Sequence, residues 1–590
     1  MPTLHWIGKD KVINHHLDVP FKVLEHAYGF DNGTQTEEET NSGNKIIHGD
    51  NLEALKALLP EYEGRVNCIY IDPPYNTGEE KWIYNDNVNH PKLKKWLGEV
   101  VGKEEDDLTR HDKWLCMLYP RIKLLHKLLH PKGVMFISID DNENSSLKQI
   151  CNEIFGSNKF IATNVWQKRY SRENREAIGD VHEYIYVFSK DPKAFKEYRN
   201  LIPANEKQLK VYRNPNNDPK GRWRPIPMTA QAGHATKEQF YPITTPTGVV
   251  HYPPDGRCWG IAQATYKKLL EEGRIYFGLN GDSQPNIIRY LTEVEGFVPW
   301  TWWNHEEVGN TDEAKKEIYN ILGKKVEFGT PKPVRLIERI LRIATKPGDI
   351  ILDSFAGTGT TAHAVLNLNM EDNGERKFIV IEMENYCEEI TAKRVKQAIN
   401  GFTYLGATKE VLYSKKLSLQ NIRNGSDIYD EIQTLKDTNA NGHDELKVII
   451  EEGNINLYGI NKKSVNIEPI GGSFDYYELG QPIFLDDGNL NELVGVEKIR
   501  QYVFYTETKT PLTAAKHQDN QHFLGKHNDT AYYFHYEQDE VTTLDHAFLA
   551  TMKTKAEQYV IYADNCLLTK DFMTKHQIIF KKIPRDITRF

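Results

Sequence analysis

Apolar and polar positions divide the chain into stretches of different rhythm. Residues 45–75 open with a short apolar run ending in charge, KIIHGD. A segment from Asn51 to about Leu59 follows with apolar residues at helical spacing, and then VNCIYID runs into two prolines. That order predicts one βαβ unit. The polar, charge-rich stretch 76–110 is too long for an ordinary connection, and we expect it to form a lid or channel wall. Behind it, HDKWLCMLYPRIKLLHKLLH predicts a helix stopped by Pro131 and Gly133, before the strand VMFISID. Apolar runs at 160–168 and 182–190 flank a charged turn and predict a late antiparallel hairpin.

From about Asp191 to Thr330 the alternation is lost and Pro, Gly, Trp and Arg become frequent, which predicts an inserted domain. The rhythm returns at Lys332 with a helix (PVRLIERILRIAT), the strand DIILD, a Gly-rich turn opening a helix, the strand KFIVIE and a helix to about Ile399. These segments imply an α/β fold with a doubly wound, Rossmann-like sheet of about seven strands. Its halves are expected at 45–190 and 331–400. A separate N-terminal extension is expected at 1–44, an inserted domain at 191–330 and a mixed α+β domain at 401–590, where short strands rich in Tyr and Phe take over.

Composition excludes several classes. With 39% hydrophobic and 27% charged residues among 590, the chain is of globular type, and its length predicts two to four folding units. No apolar stretch approaches a membrane span, and the charged start MPTLHWIGKDKVINHH is unlike a secretory signal, so a cytoplasmic protein without membrane contact is expected. The 6 cysteines are scattered without a C-x-x-C pair, which suggests reduced core residues. Neither they nor the 21 histidines suggest a metal site. The net charge of −9 argues globally against a polyanion partner, but its distribution does not: the balance is about +6 over 151–230 and about −6 over 401–590. A nucleic-acid contact is therefore expected in the middle of the chain, with Arg213, Lys220, Arg222 and Arg224 as candidates. Trp300, Trp302 and Trp303 are expected to be core aromatics.

Two constellations carry chemistry. The turn FAGTGTT (355–361) follows a strand ending in Asp353 and opens a helix, so its backbone N–H groups can face an anionic ligand group while its glycines allow close approach. A lone G-x-G is weak, but the next strand ends in Glu382, where nucleotide-binding folds hold a ribose diol. The turn lacks the Lys and spacing of an ATP-binding loop. The second constellation is Asp72-Pro73-Pro74-Tyr75. Two prolines remove two donors and fix φ twice, holding a carboxylate, a rigid carbonyl and an aromatic ring together at a strand end.

The pair of loops resembles the amino-methylating DNA methyltransferases, which combine D-P-P-Y with an F-x-G-x-G loop. The order here, D-P-P-Y first and the glycine loop about 280 residues later, is similar to the circularly permuted β group. The longer blocks IIHGDNLEALKALLPEYEGRVNCIYIDPPYNTG, FISIDDNE and TPKPVRLIERIL resemble the modification (Mod) subunits of type III restriction-modification systems. The resemblance implies S-adenosylmethionine as methyl donor. Phe355, Gly357, Gly359, Thr360 and Thr361 would surround its methionine part, Glu382 its ribose and Asp50 its adenine side, with Asp353 ending the cofactor strand and Lys332 closing over the methionine end. Asp72 and Pro73, backed by Pro74, would accept hydrogen bonds from the target amino group, and Tyr75 would stack on a base swung out of duplex DNA. Adenine N6 is the implied target, cytosine N4 the alternative within the enzyme class, and a DNA-recognition and assembly subunit for a nuclease-helicase partner the reading from another class. A homodimer and a restriction (Res) subunit as partner are also implied. No cysteine follows a proline, which disfavours the covalent chemistry of ring-carbon methylation.

Overall fold

The computed structural model describes residues 3–77, 107–171, 177–204, 209–215, 217–324, 326, 328–418, 421, 423–451, 453–512, 519–538 and 540–589. Most of the expected lid or channel wall at 76–110 lies outside the described residues. The chain divides into two compact units, Met1–Arg199 with Thr301–Phe590, and Asn200–Trp300.

The larger unit is built on an eleven-stranded sheet. Its strands in chain order begin with β1 (Lys22–Asp31), β2 (Thr34–Thr36), β3 (Lys45–His48), β4 (Val66–Ile71) and β5 (Leu129–Ile139). They continue with β6 (Phe160–Gln167), β7 (His182–Ser189), β8 (Trp302–Trp303), β9 (Ile350–Asp353), β10 (Lys377–Glu382) and β11 (Ser473–Pro482). Across the sheet the order is β8-β6-β7-β5-β4-β9-β10-β3-β11-β1-β2. The stretch from β5 through β4, β9, β10 and β3 to β11 is parallel, and β6 and β7 form the antiparallel hairpin. All seven strands read from periodicity are therefore in one sheet. The central parallel strands β4, β9 and β10 are almost wholly apolar and buried, as strands covered on both faces must be.

Helices α1 (Asn51–Ala57), α2 (Asp107–Leu128), α3 (Asn144–Phe155), α4 (Val334–Ala344), α5 (Thr360–Asp372) and α6 (Lys393–Asn400) belong to this unit. In α4 the buried positions Val334, Ile337, Leu341 and Ala344 recur at steps of three and four, one apolar stripe on a helix. Gly133 does not stop α2 as expected; the chain passes directly from Leu128 into β5, in which His130, Pro131 and Lys132 form the solvated start.

Three expected boundaries differ from those observed. The separate unit runs from Asn200 to Trp300, not over 191–330: Trp302 and Trp303 pair in parallel with Val165 and Trp166 at the sheet edge, and the helix Thr311–Leu322 belongs to the larger unit. The N-terminal segment is no mere extension, because β1 and β2 continue the sheet. Nor does 401–590 stand apart: β11 lies between β3 and β1, and the Tyr505 hydroxyl bonds Glu63. These pairings are made by residues hundreds of positions apart, which local periodicity cannot register. The rest of that segment holds a three-stranded antiparallel sheet (Phe402–Lys416, Asn454–Ile467, Glu445–Glu451) and a four-stranded sheet ending at Ile578–Lys582.

The smaller unit has its own core of Met228, Tyr241, Ile243, Trp259, Tyr266 and Phe277. Among the described residues no helix is long and apolar enough to cross a membrane. Five of the six cysteines are buried and Cys566 is partly so; none is in a disulfide. Trp303 is buried, whereas Trp300 and Trp302 are half exposed, so only one of the three is a core aromatic.

Candidate active site

The parallel strands β4, β9 and β10 end side by side, and a cavity of about 230 Å³ opens at their carboxyl ends. This is where open α/β sheets bind ligands. It is lined by Asp72, Pro73, Pro74 and Tyr75 from the first turn and by Asp353, Phe355, Gly357, Thr360, Thr361, Glu382 and Lys332 from the second half of the fold. Residues separated by about 280 positions thus share one cavity. Asp50 is not among the lining residues. Its carboxylate caps α1, accepting from the backbone N–H of Leu52 and Glu53, and pairs with Arg121 at 3.4 Å.

The Gly-rich turn is braced from below. Asp353 accepts from the backbone N–H of Phe355 at 3.0 Å and from the Thr361 hydroxyl at 2.6 Å, and burial pushes its carboxyl up to about 7. Gly357 and Gly359 have φ of +52° and +77°, and a Cβ at Gly359 would stand 3.0 Å from the Thr391 carbonyl oxygen. The carboxylate of Glu382 accepts from the Gly357 N–H at 2.7 Å; burial raises this group also to about 7. Behind the turn lies Arg394, fully buried, whose Nη1 donates to the hydroxyls of Thr358 and Thr360 at 2.8 Å each. Phe328 and Tyr386 complete the wall as an edge-to-face pair with centroids 5.7 Å apart.

The D-P-P-Y turn is pinned at several points. The Trp114 indole on α2 donates to the Pro74 carbonyl at 2.7 Å. Beyond Tyr75, Asn76 is buried in the left-handed region at φ +60° and donates to the buried Glu143, which also bonds His111. Lys332, for which the resemblance implied a place over the methionine end, sends its ammonium to Asp72, 2.8 and 2.7 Å from the two carboxylate oxygens, and lies 3.6 Å from Glu183. Burial pulls the Lys332 ammonium down, but the two carboxylates outweigh it and hold the group above its ordinary value. The Tyr75 hydroxyl stands 2.8 Å from Asp72 and 3.0 Å from Glu183; burial, then these carboxylates, push it far up.

Sequence reasoning missed Glu183, Trp114, Glu143, Phe328, Tyr386 and Arg394. Only Glu183 left a signal, a lone carboxylate heading the apolar run of β7. In the smaller unit, Arg213 and Trp223 bridge, with Arg222 and Arg224 on either side of that tryptophan. Arg213, Lys220 and Arg222 are exposed, and Arg224 lies over the Tyr212 ring at 5.4 Å.

A model of the DNA methylase family, covering N6 and N4 amino-methyltransferases, matches residues 66–393, more than half of the chain; the chain belongs to that family. It is 34% identical over 402 residues to the type III restriction-modification enzyme StyLTI Mod subunit of Salmonella typhimurium, over 66% of this chain and 60% of that protein. To the EcoPI Mod subunit of Escherichia phage P1 it is 32% identical over 68% of each chain. To the EcoP15I Mod subunit of Escherichia coli it is 29% identical over 75% of this chain and 73% of that one.

Proposed function

We propose that the protein is an S-adenosylmethionine-dependent DNA methyltransferase acting on adenine N6, the modification subunit of a type III restriction-modification system. The observation that carries this is the single cavity joining the D-P-P-Y turn to the Gly-rich turn and Glu382. Similarity to three Mod subunits supports the type III assignment, and adenine as target follows from the resemblance of the D-P-P-Y blocks to that family.

The residues fit the methyl donor. Gly357 and Gly359 keep the turn free of side chains, the buried Glu382 offers a carboxylate to a ribose diol, and the threonine hydroxyls backed by Arg394 suit a carboxylate. When bound there, S-adenosylmethionine supplies an electrophilic methyl group. The chain's own part lies on the other side of the reaction. An exocyclic amino nitrogen is a poor nucleophile because its lone pair is delocalised into the ring. Asp72, held in place by Lys332 and Tyr75, and the Pro73 carbonyl accept hydrogen bonds from that amino group and favour the tetrahedral, cationic nitrogen. Because these acceptors are already fixed, little reorganisation is needed as charge develops.

The order of the two halves, D-P-P-Y before the Gly-rich turn, supports the circularly permuted β group as the subgroup. The smaller unit, with its exposed Arg213, Lys220 and Arg222, is the proposed contact to double-stranded DNA and the seat of target recognition. A homodimer and a Res partner complete the proposal. Modification-sensitive sequencing of DNA from cells expressing the chain tests it: methyl marks at adenine N6 in one sequence motif are expected, and none with Asp72→Ala. Marks at cytosine N4 would move the assignment to the alternative.

A further inference from the structure

The Tyr75 hydroxyl has one hydrogen and faces two carboxylate oxygens, Asp72 at 2.8 Å and Glu183 at 3.0 Å. Carboxylates accept and do not donate, so one proton serves both acceptors and can be passed between them. The surroundings give that passage a direction. The Lys332 ammonium lies at 2.8 and 2.7 Å from the oxygens of Asp72, but 3.6 Å from Glu183. The cation therefore stands in direct contact with Asp72 and farther from Glu183. Beyond Glu183 stands Lys168, 3.5 Å from it and 2.8 Å from Asp180, whose side chain is half exposed to water. Together these groups trace a path from the cavity to solvent.

We infer that Glu183 is the proton-accepting end of a relay, Asp72 to Tyr75 to Glu183, that carries away the proton the methylated amino group must lose. The inference rests on the amino-methylation reading. The nitrogen lone pair forms the N–C bond to the methyl group while the C–S bond of the methyl donor breaks and its pair stays on sulfur. The nitrogen is then cationic and gives one N–H proton to Asp72. Tyr75 takes that proton on its oxygen as its own passes to Glu183, so Asp72 ends as a carboxylate and Tyr75 is unchanged; Glu183 is a neutral acid until its proton passes to Lys168 as the Lys168 ammonium gives one of its own to Asp180 and water. Glu183 touches no reacting atom and works through Tyr75; it is a positioning and relay residue. The ionisable groups around it are Asp72, Tyr75, Lys332, Lys168, Asp140 and Tyr70.

Glu183→Gln keeps the shape and an oxygen that accepts from Tyr75, but removes the basicity. Titration of S-adenosylhomocysteine and of duplex DNA should give unchanged affinities, while the single-turnover methylation rate falls by about 100-fold, the usual scale of proton-transfer catalysis. The pH dependence of that rate should change shape as well. Tyr75→Phe interrupts the same path, so the double variant should be no slower than the slower single variant. Additive losses, or a Glu183→Gln rate equal to wild type, would overturn the relay and leave the amino-methylation reading standing. A wild-type chain that transfers no methyl group to DNA would overturn both. If Glu183→Gln is poorly folded, Tyr75→Phe alone decides: wild-type speed rejects the relay, and slow transfer with intact binding supports it.

Discussion

Replacing Lys332 by Met tests the electrostatics of the D-P-P-Y turn. Lys332 is buried, its side chain 6% exposed, and it faces two carboxylates, Asp72 and Glu183, 23% and 10% exposed. Methionine fills the space but leaves those two carboxylates without their shared cation. Breaking a buried pair by removing one partner costs about 3–5 kcal/mol, against at most about 1 kcal/mol for an exposed pair. Arg342 with Glu371, side chains 35% and 56% exposed, is the internal control. The sign of the pH dependence follows from linkage. Lys332 is held above its ordinary value in the folded state, so its contribution is complete below the unfolded lysine value and is lost only as pH rises through the folded one. At neutral pH the loss in Lys332→Met is therefore full. It should shrink toward acid, because Asp72, left without its cation, and Glu183, left with Lys168 alone, no longer repel each other once protonated. Denaturant unfolding followed by tryptophan fluorescence at neutral and mildly acidic pH measures both effects. If Lys332→Met is no less stable than Arg342→Met, or if its deficit stays the same toward acid, the cluster is not the electrostatic unit described here.

Four further outcomes are expected. Glu382→Ala should weaken S-adenosylhomocysteine binding by about 1.5–3 kcal/mol, the range for hydrogen bonds to a charged group, and an unchanged calorimetric titration would place the ribose elsewhere. Asp353 and Glu382, both raised to about 7 by burial, hold protons in the folded chain that the unfolded chain releases above its ordinary carboxylate range; their contribution to stability should therefore fall as pH rises from about 5 through 7, and Glu382→Gln should flatten that slope in melting curves. Trp114→Phe removes the donor to the Pro74 carbonyl and should cost about 1–3 kcal/mol of stability, with slower methylation at unchanged cofactor affinity; full activity would mean that the prolines alone hold the turn. Truncation after Asn400 removes β11 and bares the edge of β3, so it should yield aggregation and lost cofactor binding together, a result that a well-folded, cofactor-binding fragment in light scattering and titration would contradict.

The core of the fold and the two loops were legible in the chain because their signals are local. The apolar runs of β3 through β7, β9 and β10 announce strands without reference to any partner, and Pro73-Pro74 and Gly357-x-Gly359 constrain their own backbone. The resemblance to amino-methyltransferases rests on those same loops, and the family match confirms it. What the chain order could not convey is which side chains meet. Tyr75 reaches Glu183 across 108 positions and Lys332 reaches Asp72 across 260, so the cluster around the Asp72 carboxylate exists only once β4, β7 and the segment before α4 are brought together. The same holds for domain limits. β11 has no local mark of its place, yet hydrogen bonding between β3 and β1 draws it into the central sheet, because an open parallel edge gains a full ladder from whichever strand the fold delivers to it. Local sequence decided the elements and the reactive groups; packing over hundreds of residues decided that Lys332, which the resemblance set over a ligand, stands against Asp72.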